Sequence, residues 1–526
     1  MRKGLQKRYG KHCVPDRQKK QMMRKYILSV DQSTQGTKGM LFDENGILVA
    51  RADKAHRQIV NAQGWVSHDL SEILDNTLAV CRDVVQMAGI DKNEILAMAI
   101  SNQRETTAAW DKETGKPLCD AIVWQCSRAR EICTSMTQQD KELVFSRTGL
   151  MLSPYFPAAK MAWILRNVLT EEAKGTETRG PECKEHLAFG TIDSWLIYSL
   201  CEGHPHKCDY SNASRTMLFN IRDLSWDPDL CALFKVPAKC LPEVCMSDSC
   251  FGYTDLGGFL EHSIPLHGVL GDSHGALLGH GGKGIGRMKA TYGTGSSVMM
   301  NIGEKPVFSK NGLVTSLAWG LDGQVSYVLE GNLNYTGAVI SWLKNEVQLI
   351  DHDAQTQELA EQADPNDKAY FVPAFSGLGA PYWDSDATGM LTGVTRTTGK
   401  KEIVKACLES IAYQITDLVL LMEQESGIEV PDIRVDGGPT ANAYLMQFQA
   451  DMADSRICIP QIQELSGMGA AIAAGCAVGL YDYERVVAGL SYHYYDPKMD
   501  AGLRTQRYQG WKEAVYQVLT KGKGIL

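Results

Sequence analysis

"KYILSVDQSTQGTKGMLFDENGILVARA", residues 25–52, is the stretch on which the fold turns. It holds three β-rich runs separated by a Ser-Thr-Gln-Gly turn and an Asp-Glu-Asn-Gly turn, the pattern of an antiparallel meander. The next periodic segment, "SEILDNTLAVCRDVVQMAG" (71–89), has helical spacing. "EILAMAISNQ" (94–103) is then a strand that ends in polar residues. A meander followed by alternating helix and strand predicts an α/β domain with its polar strand ends gathered on one side.

The pattern returns in the second half. "GRMKATYGTGSSVMMNIGEKPV" (286–307) is again strand, turn, strand, and "GQVSYVLEGN" (323–332) supplies another strand. Asp31 and Thr291 occupy comparable places, half a chain apart. Two related α/β halves facing each other across a cleft follow from this. The division falls at the Gly-rich "GHGGKGIG" (279–286), giving a first domain over 25–280 and a second over 281–526. A length of 526 residues also favours two large domains over one core.

Composition narrows the classes. With 44% hydrophobic and 22% charged residues the chain reads as an ordinary globular protein. A net charge of −9 argues against a general nucleic-acid binder, which needs a basic face. The 15 cysteines are scattered, and Cys240, Cys245 and Cys250 lack zinc-ligand spacing, so reduced thiols in a cytoplasmic protein are expected. Residues 1–24 form a basic tail without the apolar run of a signal peptide. Met22-Met23, directly before the first strand, makes a mis-assigned start the preferred reading. "GMGAAIAAGCAVGLY" (467–481) is too short to span a bilayer and reads as an interior helix, so no membrane partner is expected.

One glycine motif misleads. Gly279, Gly281 and Gly284 match GxGxxG, but the dinucleotide fingerprint requires a strand before it and a helix after it. Here the order is reversed, which removes the main support for an oxidoreductase.

Candidate chemistry lies elsewhere. "DQSTQGTK" and "YGTG" are turns whose backbone N–H groups can bind anions, with Lys38 adding a charge to the first. As a pair in corresponding places they make a phosphate clamp; singly, each is a plain hairpin turn. "VDGGPTANAYLMQFQADM" (435–452) places a helix start near Thr440 or Ala441 after a Gly-rich strand end, suited to a ligand's polar groups or merely to a tight turn. "SNQRETT" sets Arg104 beside Glu105, a donor and an acceptor for adjacent hydroxyls or a surface ion pair. Trp124 and Tyr155 offer an apolar wall and a hydroxyl, or core packing. In "GDSHGALLG" (271–279) the lone carboxylate Asp272 follows an apolar run, where it is costly unless paired, solvated or at work.

Together these segments resemble the FGGY carbohydrate kinases, and among them the glycerol-phosphorylating branch, over nearly the whole chain from about Lys25. "YFPAAKMAWILRN" (155–167) and "GMLTGVTRTTGKKEIVKACLE" (389–409) are similar to the two family signatures, with Cys407 at a position that is usually small or β-branched. "GWVSHD", "SNQRETT", "GKPLCDAIVWQC", "DYSNASRTMLFNI", "VPAFSGLGAPYWD" and "VDGGPTANAYLMQFQ" follow in matching order. The resemblance implies two actin-like (ribonuclease-H-like) domains around a central cleft holding MgATP and a small polyol or sugar. Asp31, with Asp272, would hold Mg²⁺. Thr34, Gln35 and Lys38 would touch the phosphates, as would Gly293 and Thr294. Gly337, Ser341, Gly438 and Asn442 would line the adenosine. Arg104, Glu105, Trp124, Tyr155, Asp272, Ser273 and Ser297 would form the acceptor pocket, with Asp272 as general base. By analogy a homo-dimer or tetramer is implied.

Departures from the family pattern fall mainly on the acceptor side. Ser273 and His274 stand where glutamines are usual, and Ser297 replaces a phenylalanine. Smaller hydroxyl side chains open the pocket and suit a longer polyol or ketose as the alternative acceptor. Ser33 and Gln35 alter the first turn. Segment 255–265 lacks the Gly-Gly-Thr-Arg loop of bisphosphate feedback, and His262 is not placed for phosphotransferase control, so neither regulation is expected. A non-catalytic actin-like nucleotide-binding protein is the competing class, disfavoured because it would have no use for an acceptor pocket.

Overall fold

The computed structural model describes residues 25–169, 185–462 and 464–520. The basic segment 1–24, with its expected start at Met22-Met23, lies outside them. The predicted meander forms β1 (Tyr26–Gln32), β2 (Gly36–Phe42) and β3 (Leu48–Ala55), paired antiparallel. Helix α1 (Leu70–Ala88) follows, capped by Asp69, which accepts from Ser71 N at 2.8 Å. It buries Ile73, Thr77, Val80 and Val84, a 3–4 spacing that turns one stripe onto the sheet. Strand β4 (Ile95–Asn102) then pairs parallel with β1. After a long insertion, β5 (Gly252–Thr254) and β6 (Ile264–Gly271) complete the sheet in the order β5-β6-β4-β1-β2-β3, and α2 (Asp272–Gly279) leaves its edge at the cleft.

The second half repeats this plan. Strands β7 (Met288–Tyr292), β8 (Ser296–Gly303), β9 (Val314–Leu321) and β10 (Gln324–Leu333) are antiparallel neighbours. Helices α3 (Gly337–Asn345) and α4 (Lys400–Ser426) come next, then β11 (Asp432–Asp436), α5 (Ala443–Ala453), β12 (Arg456–Pro460), α6 (Leu465–Ala477) and β13 (Tyr492–Tyr495). The sheet order is β9-β10-β8-β7-β11-β12-β13. The runs β3-β2-β1-β4-β6 and β10-β8-β7-β11-β12 share pairing directions strand by strand, which is the repeat expected from Asp31 and Thr291.

The two halves exchange helices. The small-residue helix α6 packs on β1, β4 and β6 of the first sheet, against Ile27, Met40, Ala97 and Ala99. Leu277 and Leu278 of α2 reach Met299, Trp319 and Val328 of the second sheet. The sequence division at 280/281 therefore separates the strands but not the packing layers. Where the helices cross, a Cβ at Gly469 would lie 1.9 Å from the Gly275 carbonyl oxygen, so only glycine permits the contact. No helix among the described residues is long and apolar enough to cross a membrane, and Cys81, Cys126, Cys133 and Cys407 are among their free thiols.

Two local expectations need adjustment. Asp272 is the first residue of α2 rather than the end of a strand. The helix expected near Thr440 begins at Ala443, because Gly438–Ala441 form a single 3₁₀ turn and Asn442 is the cap.

Candidate functional site

The carboxyl ends of both central strands open onto a cleft of about 1120 Å³ between the halves. One wall carries Thr34, Gln35, Trp124, Tyr155, Asp272 and Ser273, and the other carries residues 293–297 of the β7–β8 turn. Nine sequence-predicted residues are thus brought together: Thr34, Gln35, Trp124, Tyr155, Asp272, Ser273, Gly293, Thr294 and Ser297.

The acceptor side rests on a turn after β4. Thr106 N donates to Arg104 O at 2.7 Å across Glu105, whose φ of 60° is left-handed. Such a conformation is costly for a side-chain-bearing residue and persists only where its surroundings hold it. Here the hold is electrostatic. Arg104 donates both terminal nitrogens to Glu330 at 2.9 Å each, and Arg215 bonds Glu105 at 2.6 Å and Glu330 at 2.8 Å. All four side chains are buried. The two guanidinium groups hold the Glu330 carboxyl well below the usual range despite its burial. Only Arg104 Nε is left facing Asp272, 3.3 Å from Oδ1. Asp272 itself keeps 36% side-chain exposure, with Oδ1 accepting from Ser273 N at 2.6 Å. It is a carboxylate oriented by a cation yet open to the cleft.

Trp124 Nε1 donates to the Thr34 hydroxyl at 2.9 Å, and its ring meets Tyr155 at 5.4 Å. The Thr34 carbonyl accepts from His56 at 2.9 Å and Gln58 at 2.7 Å, so β3 and its continuation pin the first turn. Burial lifts the Tyr155 phenol above its ordinary range, leaving a neutral hydroxyl at the wall.

Asp31 is buried at the end of β1, with the Ser101 hydroxyl donating to it at 2.9 Å and the Lys38 ammonium 3.9 Å away as a loose ion pair. Burial pushes its pKa up to about 6, because these partners only partly offset desolvation. An under-compensated carboxylate near Asp272 fits a hard cation such as Mg²⁺, which takes one or two carboxylates and completes its shell with phosphate and water. Lys38 lies beside the first turn, in a recess it shares with Thr34, Gln35 and Asp272. Its ammonium pairs with Glu464 at 2.8 Å, and it does not line the main cleft.

A second cavity, about 460 Å³, joins the first at Gly293 and Thr294 and is lined by Gly337, Ser341, Gly438 and Asn442. Gly337 lacks a Cβ that would meet the Gly293 carbonyl at 2.6 Å, so the start of α3 seats directly on the turn, its N–H bonding that carbonyl at 2.9 Å. Asn442 spends its side chain internally, capping α5 through Leu445 N and donating to Thr356. Its contribution to a ligand is therefore shape. His274, which departs from the family pattern beside Ser273, is buried in α2 with Nε2 3.4 Å from Ser316, away from the cleft.

Glu330, Arg215 and Lys289 were not anticipated. Each had a signal: a lone charge in an apolar strand, "SYVLEGN" and "MKATY", or within the quoted "SNASRT". A charge in such a context is paired or functional.

Repeated sheets, exchanged helices and paired turns on one cleft define an actin-like, two-domain phosphotransferase fold. The chain belongs to the FGGY family of carbohydrate kinases: the N-terminal domain of that family matches residues 26–279 and the C-terminal domain residues 288–478. It is 46% identical over 499 residues to glycerol kinase 1 of Thermotoga maritima, covering 94% of this chain and 100% of that one. Glycerol kinase of Caldanaerobacter subterraneus is 44% identical, over 94% of this chain and 99% of its own. The crystal structure of Plasmodium falciparum glycerol kinase with ADP superposes with a TM-score of 0.86 at 33% identity, covering 95% of this chain and 99% of that one. A ligand-bound xylulose kinase from Lactobacillus acidophilus shares the fold, with a TM-score of 0.82 at 21% identity and 93% and 97% coverage.

Proposed function

We propose that this chain is an ATP-dependent kinase that phosphorylates a terminal hydroxyl of glycerol or a similar small polyol. The observation that carries this is Asp272, held by Arg104 yet open to the cleft, opposite the 293–297 turn. Phosphoryl transfer asks little covalent chemistry of a protein; it asks for an in-line hydroxyl, charge neutralisation and a proton acceptor.

Asp272 takes the acceptor's proton as its oxygen attacks the γ-phosphorus. Trp124 and Tyr155 wall the carbon skeleton, and Glu105, fixed by Arg215, presents a carboxylate oxygen to a hydroxyl. The two turns cradle phosphate oxygens on backbone N–H groups, and the second cavity takes the adenosine between Gly337, Ser341, Gly438 and Asn442. Asp31 and Asp272 would hold Mg²⁺, which supplies charge neutralisation at the phosphates when bound. Closure of the two halves excludes water and fixes the reacting geometry.

A second reading, a longer polyol or ketose, is favoured by one observation. Among the described residues Ser297 Oγ is buried without a hydrogen-bond partner, in a residue that lines the cleft across from Ser273. A further acceptor hydroxyl would satisfy it. ADP release with MgATP, measured with glycerol, erythritol, xylitol, ribitol, xylulose and no acceptor, tests both. Acceptor-dependent release supports the kinase; glycerol favoured about tenfold or more over the longer acceptors removes the second reading. Acceptor-independent release, or none, favours a nucleotide-binding protein without transferase activity.

A further inference from the structure

Lys289 stands in the middle of β7, on a strand otherwise apolar between Met288 and Ala290. It is 1% exposed, yet it lines the main cleft together with Thr291, Asp272 and Asp436. Among the described residues its ammonium makes one hydrogen bond, to Thr291 Oγ1 at 3.0 Å, and has no carboxylate within ion-pair distance. The acidic group with the largest influence on it, Asp436, already accepts from His280 at 2.9 Å and from the Thr291 hydroxyl. Glu330 and Asp272 act on it more weakly and beyond ion-pair distance, Glu330 being held by Arg104 and Arg215, while Arg104 adds a second positive charge to its surroundings. An ammonium carries three donors, and a buried charge without a partner costs several kcal/mol. Burial accordingly lowers the Lys289 pKa. A cation in that condition, at the wall of a cleft that the turn of residues 293–295 also lines, is missing an anion.

We propose that Lys289 is a further catalytic residue, whose ammonium pairs with the phosphoryl group while it passes from ATP to the acceptor. This rests on the kinase reading above. In the transfer, the acceptor oxygen forms a bond to the γ-phosphorus and gives its proton to Asp272. The bond between that phosphorus and the β,γ-bridging oxygen breaks, and its electron pair leaves with ADP. Negative charge moves along this line, and Lys289, on β7 at the cleft that Asp272 also lines, meets it without reorganising. The same placement explains why the lysine is tolerated in an otherwise apolar strand: its counter-charge arrives with the substrate.

The test uses the full chain and the variants Lys289→Met and Lys289→Gln. Removing a buried cation for an apolar side chain of similar length is commonly neutral or stabilising, so melting temperature is expected to hold or rise. kcat is expected to fall about 10²–10³-fold, as for loss of one transition-state donor, with KM for glycerol little changed. Binding of ADP is expected to be unchanged, whereas the non-transferable β,γ-imido analogue of ATP weakens by about tenfold, the mark of a contact to the third phosphate. Equal weakening of ADP and the imido analogue, or turnover in both variants within a few-fold of the parent, would overturn the assignment. If the parent protein releases no ADP with any acceptor, the kinase reading fails. The difference between the two nucleotides then still decides whether Lys289 meets a third phosphate.

Discussion

Arg104 and Glu330 meet in a buried two-pronged ion pair, both N–O distances 2.9 Å, that joins the turn after β4 in the first half to β10 in the second. Arg215 closes the arrangement from a third segment. The acceptor side of the cleft is thus tied across the two halves, by charges that have no water to fall back on. Replacing Glu330 with Gln leaves two guanidinium groups facing a neutral amide. A loss of about 3–5 kcal/mol of stability is expected from breaking such a pair on one side, read by urea unfolding. Unchanged stability would mean that the pair contributes no more than a packed neutral contact.

Lys160 gives a pH signature. It is fully buried in the signature helix that follows Tyr155, and burial brings its pKa down to about 7 from 10.5. The folded value lies below the unfolded one, so between pH 7 and 10.5 the unfolded chain binds a proton that the native chain does not. Stability contributed by this group is therefore fully present above pH 10.5 and is lost as pH falls toward 7, with a slope of up to about 1.4 kcal/mol per pH unit. Urea unfolding at pH 7.5 and 9 should show this rise, and Lys160→Met should flatten it. An equal slope in both proteins would assign it to other groups.

Ser297 tests the width of the acceptor pocket. Ser297→Phe fills the wall opposite Asp272 and removes the unpartnered hydroxyl. If the pocket is matched to a longer acceptor, the ratio of kcat/KM for glycerol over xylitol rises about 10–100-fold. No change in that ratio would show that the acceptor does not reach β8.

The fold was legible because its two turn-containing hairpins recur with the same polarity, and because α1 and α6 carry unmistakable stripes or small-residue runs. The exchange of α2 and α6 was not legible. Gly275 and Gly469 are far apart in the chain, and nothing local tells a helix which sheet it will cover. Asp272, Arg104 and Glu105 stood out as charges at polar strand ends, but their orientation depends on Glu330 and Arg215, whose pairing crosses more than a hundred residues. The pairing of Lys38, beside the first turn, with Glu464, from the loop before α6, was equally out of reach, since the two stand over four hundred residues apart.

The central claim is that Asp272 accepts the proton of a polyol hydroxyl during transfer from ATP. Formation of phosphorylated glycerol and ADP from MgATP, followed in the parent protein and in Asp272→Asn, tests it most directly. The account predicts equimolar products from the parent, a drop in kcat of about 10²–10⁴-fold in the variant, and unchanged ATP binding. Turnover in Asp272→Asn within a few-fold of the parent would contradict it.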